Sequence, residues 1–67
     1  MLNLKKVLIN KGIPFTAAAA CLEISDKTLY NKLAGITDFT YGEAKKIKTM
    51  LPEYDLDYLL TETDDVA

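Results

Sequence analysis

Four side chains near the middle of this 67-residue chain are equipped to recognise a polar partner: the carboxylate of Asp26, the ammonium of Lys27, the phenol of Tyr30 and the carboxamide of Asn31. An ammonium only donates hydrogen bonds, a carboxylate only accepts them, and an amide or a phenol does both. That mixture suits recognition rather than bond-making. The chain has no histidine and one cysteine, so neither a soft-metal set nor a nucleophile with its base is expected. An enzyme, a cofactor, a metal and a small-molecule ligand are therefore all unexpected. The acidic pairs Asp55 with Asp57 and Asp64 with Asp65 are read as solvated charge at a helix start and near a terminus.

The spacing around these four residues predicts two short helices. Phe15, Ala18, Ala19 and Leu22 recur at steps of three, four and seven and share one face of a 3.6-residue period. The pattern breaks at Glu23, and Ser25 is a suitable N-cap for a second helix. There Leu29 and Leu33 point inward, while Lys27, Tyr30, Asn31 and Ala34 fall on the opposite side at about 100° per residue. Ala19 is small, as a steep crossing of the two helices requires. Cys21 flanks the buried face and reads as a small packing residue.

The flanking sequence supplies the rest of a core. Leu4, Val7 and Leu8 form the inward stripe of a first helix that Gly12 can end, and Leu2 with Ile9 form a second stripe that packs on the last helix by default or on a partner otherwise. Thr40 and Glu43 make a T-x-x-E capping box that starts a fourth helix with Ala44, Ile47 and Leu51 inward, stopped by Pro52. Asp55 is expected to cap a short fifth helix in which Leu56, Leu59 and Leu60 face inward. No alternation of strand type occurs, so the chain reads as all-α. Residues 1–61 are expected to form one domain, with 62–67 an acidic frayed tail. Tyr54 and Tyr58 suit either a contact with another subunit or a cover over the core.

Size and charge bound the function. A chain this short buries only about 60% of the surface its unfolded form exposes, so its stability margin is small. With 49% hydrophobic and 27% charged residues it is globular rather than disordered, and no apolar run approaches the roughly 18 residues of a membrane span. The opening MLNLKKVLINKG lacks an apolar h-region and a small-residue cleavage site, so no signal peptide and no membrane partner are expected. The net charge of −2 is unevenly spread: residues 1–50 carry all eight lysines against four acids, and the last seventeen carry six acids and no base. One face can therefore approach a polyanion while the C-terminus points away, or the acidic tail can screen that face of a neighbouring molecule.

The segment FTAAAACLEISDKTLYNKLAG, Phe15 to Gly35, resembles the helix-turn-helix of phage Cro and repressor proteins, the XRE family. The matching residues are Gly12, Ile13, Ala19, Leu22, Ile24, Ser25, Thr28, Leu29, Leu33 and Gly35. Downstream, Phe39, Glu43, Ile47, Leu51, Leu59 and Leu60 resemble the helices that complete the family's domain, so the likeness covers most of the chain. It implies a compact five-helix, lambda-repressor-like domain whose helices 2 and 3 form the helix-turn-helix. The function implied is a cytoplasmic, nucleoid-associated, sequence-specific regulator of transcription from a phage or other mobile element. Its partners would be a double-stranded DNA operator and, at least on DNA, a second copy of itself.

In that family the third helix enters the major groove, which places Asp26, Lys27, Tyr30 and Asn31 at base edges. Asn31 suits adenine, Lys27 guanine acceptors and Asp26 either cytosine N4 or simply the charge at a helix start, while Tyr30 suits a thymine methyl, a sugar or a phosphate. Contacts to the DNA backbone would come from Ser25, Thr28, Lys32, Thr37 and Thr40, helped by the amides at the start of helix 4. Ser25 and Thr40 also have sufficient reason to exist as caps, and Lys45, Lys46 and Lys48 read as a solvated face. The chain has no arginine, so the bidentate contact to guanine is missing and affinity is expected to be modest. Two positions depart from the family pattern. Glu23 stands where a turn glycine is usual, implying a strained left-handed residue or a different turn, and Phe15 stands where a polar residue, often Gln, makes a contact. The alternative function is a helix-turn-helix used as a protein-interaction module or anti-repressor, acting through the acidic, tyrosine-bearing C-terminus.

Overall fold

The computed structural model describes residues 1–62, which form α1 (Asn3–Asn10), α2 (Phe15–Leu22), α3 (Asp26–Leu33), α4 (Tyr41–Met50) and α5 (Leu56–Leu59). No strand occurs among the described residues; an isolated antiparallel bridge joins Leu2 to Glu62. None of the helices is long and apolar enough to cross a membrane.

The first three helices end by the same device. In a Schellman motif a residue with left-handed backbone follows the helix, its N–H bonds the carbonyl three residues back, and the next N–H bonds the carbonyl five residues back. Gly12 and Ile13 do this to Ile9 and Leu8, Glu23 and Ile24 to Ala20 and Ala19, and Gly35 and Ile36 to Lys32 and Asn31. The three left-handed residues have φ of 70°, 59° and 84°. Glycine adopts that region freely, but a residue with a Cβ does so at a cost. Glu23 therefore carries the same turn as its two glycine counterparts under strain, partly offset by an exposed ion pair with Lys46. That ion pair and hydrogen bond hold the Glu23 carboxyl below the usual carboxylate range.

The core follows the apolar stripes. Leu4, Val7 and Leu8 of α1, Ala18, Ala19 and Leu22 of α2, Leu29 and Leu33 of α3, and Ile47, Leu51 and Leu59 are buried together with Leu2. α2 packs on both α3 and α4, and α5 packs on α1 and α4. The α3 helix is held chiefly by its apolar side, leaving Asp26, Lys27 and Tyr30 exposed. The capping box at Thr40 is complete: Glu43 N donates to Thr40 Oγ1 at 3.2 Å, and Thr40 N donates to Glu43 Oε1 at 2.9 Å. Lys48 donates to the carbonyls of Pro52 and Tyr54, fastening the chain between α4 and α5. Buried Asn3 binds α5 through Nδ2 to the Tyr58 carbonyl at 2.9 Å.

Several expectations need correction. Leu2 is buried as expected, but Ile9 is 60% exposed because the α1 side it occupies has no neighbour. Cys21 is exposed rather than packed. It sits about 110° around the helix from the centre of the Ala18, Ala19 and Leu22 arc, outside the buried sector. Asp55 occupies the N-cap position of α5 without making a side-chain cap. Leu56 and Leu60 are only partly buried, with Leu59 alone fully enclosed. Tyr54 packs against the core and stacks on the more exposed Tyr58, ring centroids 6.1 Å apart. Glu62 is tied in rather than frayed, since it pairs with Leu2 and its carboxylate meets the N-terminal ammonium at 3.1 Å. Residues 63–67, the remainder of the expected tail with Asp64 and Asp65, lie outside the described residues.

Lys32 is buried, contrary to its expected place on the surface. Its Nζ lies 3.0 Å from Glu43 Oε1, donates to the Asp38 carbonyl at 2.8 Å and stands 5.6 Å from the centre of the Phe39 ring. The position is adjacent to Leu33 and three after Leu29, so its side chain leaves the helix at the edge of the apolar stripe. Burial alone would push the Glu43 carboxyl up. The Thr40 amide and the Lys32 ammonium outweigh it, and the carboxyl lies below its ordinary value of 4.5.

A depressed carboxyl contributes stability above its unfolded value and loses it as pH falls through the folded one. Unfolding free energy should therefore decline as pH drops below about 4.5, and K32M should flatten that decline. At neutral pH a double-mutant cycle with K32M and E43Q, followed by urea unfolding, should give a coupling of about 1.5 to 3 kcal/mol. The exposed pair between Lys46 and Glu23 should give a much smaller one. E23G should raise Tm by about 5 °C by relieving the left-handed strain, while E23A should not.

Candidate nucleic-acid interface

α3 begins where Ser25 leaves extended backbone and caps the helix. Its Oγ accepts from Thr28 N at 3.1 Å, and its hydroxyl donates to Thr28 Oγ1 at 2.8 Å. Two of the five side chains expected on phosphate are thus first engaged with each other. Asp26 follows in the first turn, where its charge complements the positive end of the helix. Leu29 and Leu33 turn into the core and fix the rotation of the helix, which leaves Asp26, Lys27 and Tyr30 exposed and Asn31 half-buried.

Of the nine residues singled out in the sequence, Ser25, Asp26, Lys27, Thr28, Tyr30 and Asn31 lie together on or at the start of α3. Thr37 is exposed in the loop after α3, and Thr40 is exposed while serving as the cap of α4. Lys32 is withdrawn from the set by its burial against Glu43. The amides of Thr40 and Glu43 are already bonded within the capping box, and the Glu43 carboxylate occupies the first turn of α4.

The electrostatics are thinner than the lysine count suggests. Lys11 pairs with Glu53, Lys46 with Glu23 and Lys32 with Glu43, and Lys48 is bound to two carbonyls. Among the described residues, Lys5, Lys6, Lys27 and Lys45 have no carboxylate partner. Lys45 lies over the ring of Tyr41, 5.5 Å from its centre, and Tyr41 is 81% exposed.

Two features of this region were missed in the sequence. Phe15, the first residue of α2, touches Tyr30 edge-on. No period links positions on different helices, though an aromatic residue at the family's usual polar position was a cue. Exposed Cys21 lines an open hollow of about 290 Å³ with Lys45, Lys46, Thr49 and Met50, a hollow created by the packing of α2 on α4.

Taken chemically, the α3 surface offers one ammonium, one carboxylate, one phenol and one carboxamide on a rigid helix, with hydroxyls at its start. Compared with known proteins, the chain matches no family model, no curated protein and no solved structure.

Proposed function

We propose that the chain is a sequence-specific regulator that binds double-stranded DNA, with α2 and α3 acting as a helix-turn-helix and α3 lying in the major groove. The observation that carries this reading is the uncommitted polar face of α3. Among the described residues, Asp26, Lys27, Tyr30 and Asn31 make no side-chain hydrogen bond within the protein. A helix held by Leu29 and Leu33 on one side has the shape and donor pattern that a major groove accepts. The three-residue connection Glu23 to Ser25, closed by a Schellman motif and opened by a serine cap, keeps the two helices in a fixed relation.

In this reading Asn31 bonds an adenine edge and Lys27 a guanine acceptor, with Asp26 near cytosine N4. Thr28, Thr37 and Thr40 supply hydroxyls to phosphates, and Ser25 contributes chiefly through the cap. Few cations are free to replace counter-ions, so a single domain binds weakly and two copies on a symmetric site are needed for useful affinity. Regulation by occupancy of an operator in a phage or mobile element, within the cytoplasm, is the biological setting this implies.

Selection of bound sequences from random duplex DNA should enrich a symmetric site. On that site the plot of log K against log salt should have a slope no steeper than about −4 per protomer, set by the four lysines that have neither a carboxylate nor a carbonyl partner among the described residues. N31A should lose ~1 to 3 kcal/mol of discrimination at a single base pair, with the other positions unchanged. Absence of any enriched sequence, or binding indifferent to salt, would overturn the proposal.

A further inference from the structure

Phe15 and Tyr30 meet with ring centroids 5.3 Å apart and planes at 76°, an edge-to-face contact between the first turn of α2 and the uncovered side of α3. Both backbones that carry these rings are fixed. Phe15 follows Pro14, whose φ of −63° is locked by its own ring and whose carbonyl accepts from Ala18 N at 3.1 Å. The Tyr30 carbonyl accepts from Ala34 N at 2.9 Å, closing the last turn of α3. Edge-to-face is one of the arrangements that aromatic pairs prefer, so the contact favours the Tyr30 side-chain torsions that keep it. Tyr30 nonetheless remains 50% exposed, and its hydroxyl has no partner among the described residues.

A phosphate contact would require only a hydroxyl on a mobile arm. A ring already held in place favours an apolar contact, because little side-chain freedom is then lost when its flank meets a small hydrophobic target. On the major-groove edges of the bases the apolar target is the pyrimidine C5-methyl group, carried by thymine and, in modified DNA, by 5-methylcytosine. We propose that Tyr30 reads a pyrimidine C5-methyl group and that Phe15 is the positioning residue that holds it there. The proposal rests on the DNA-binding reading above and adds to it the chemical group recognised and a residue outside α3 that controls the recognition.

The test uses the full chain and its selected duplex. Each thymine is replaced in turn by deoxyuridine, which removes the methyl and keeps the hydrogen-bonding edge; each cytosine is replaced by 5-methylcytosine, which adds one. Wild type should lose about fourfold in affinity at one thymine per half-site, or gain a similar factor at one cytosine. Y30F should keep that methyl sensitivity and Y30A should lose it. F15L retains aliphatic cover over the core while removing the ring edge. It should bring the methyl effect close to unity with helicity and salt slope unchanged, and F15Y should restore it.

Equal binding of wild type to every methylated and unmethylated duplex would overturn the methyl assignment while leaving DNA binding intact. An undiminished methyl effect in F15L would overturn the role of Phe15 alone. Failure to bind any duplex would remove both this proposal and the reading on which it rests.

Discussion

The buried ion pair between Lys32 and Glu43 is the constraint on which the arrangement of this small domain turns. It joins the last turn of α3, the loop through Asp38 and Phe39, and the first turn of α4 in one set of contacts. A buried pair is weak evidence of net stabilisation, because two charges must leave water to form it. Here each group has a second partner: Lys32 also bonds the Asp38 carbonyl, and Glu43 also accepts from the Thr40 amide. No buried side-chain polar atom among the described residues is left without a partner. What the pair supplies is position. It sets where the loop leaves α3 and hence where Thr37 and Thr40 stand relative to the exposed side of α3. The same contact removes one cation from the surface available to a polyanion.

A second constraint is the tightness of the turns. α1, α2 and α3 each close with a left-handed residue followed by isoleucine, and the connections after them are four, three and seven residues long. Ile13 and Ile24 pack against the core after their turns, as the motif favours, whereas Ile36 remains 72% exposed. Glu23 shows that the turn, rather than the preference of the residue, decides the backbone there. A few buried leucines and small alanines suffice because the connections hold little conformational freedom.

Most of the fold was legible in the sequence because it depends on local periodicity and caps. The stripes at Leu4, Val7 and Leu8, at Ala18, Ala19 and Leu22, and at Leu29 and Leu33 are buried as spacing requires, and the Thr40 box is formed in full. The polar face of α3 was legible for the same reason, being the complement of its apolar stripe. What escaped depends on contacts between elements. Lys32 is charged yet buried because Glu43 arrives from another helix. Phe15 meets Tyr30 across a turn, and Glu62 returns to the N-terminus to bond Met1 and Leu2. No single-helix period encodes such pairings.

The proposed function places the base contacts on the exposed side of α3, while α5 packs on α1 and α4 and the Glu62 carboxylate lies beside Gly35, just after α3. Titration of the isotopically labelled protein with duplex DNA, followed through backbone amide chemical shifts, tests that geometry most directly. The account predicts that the largest changes fall on residues 25–31 and 37–41 and that residues 53–62 stay unmoved. Changes centred on the acidic C-terminal segment or on α1, with α3 silent, would contradict it.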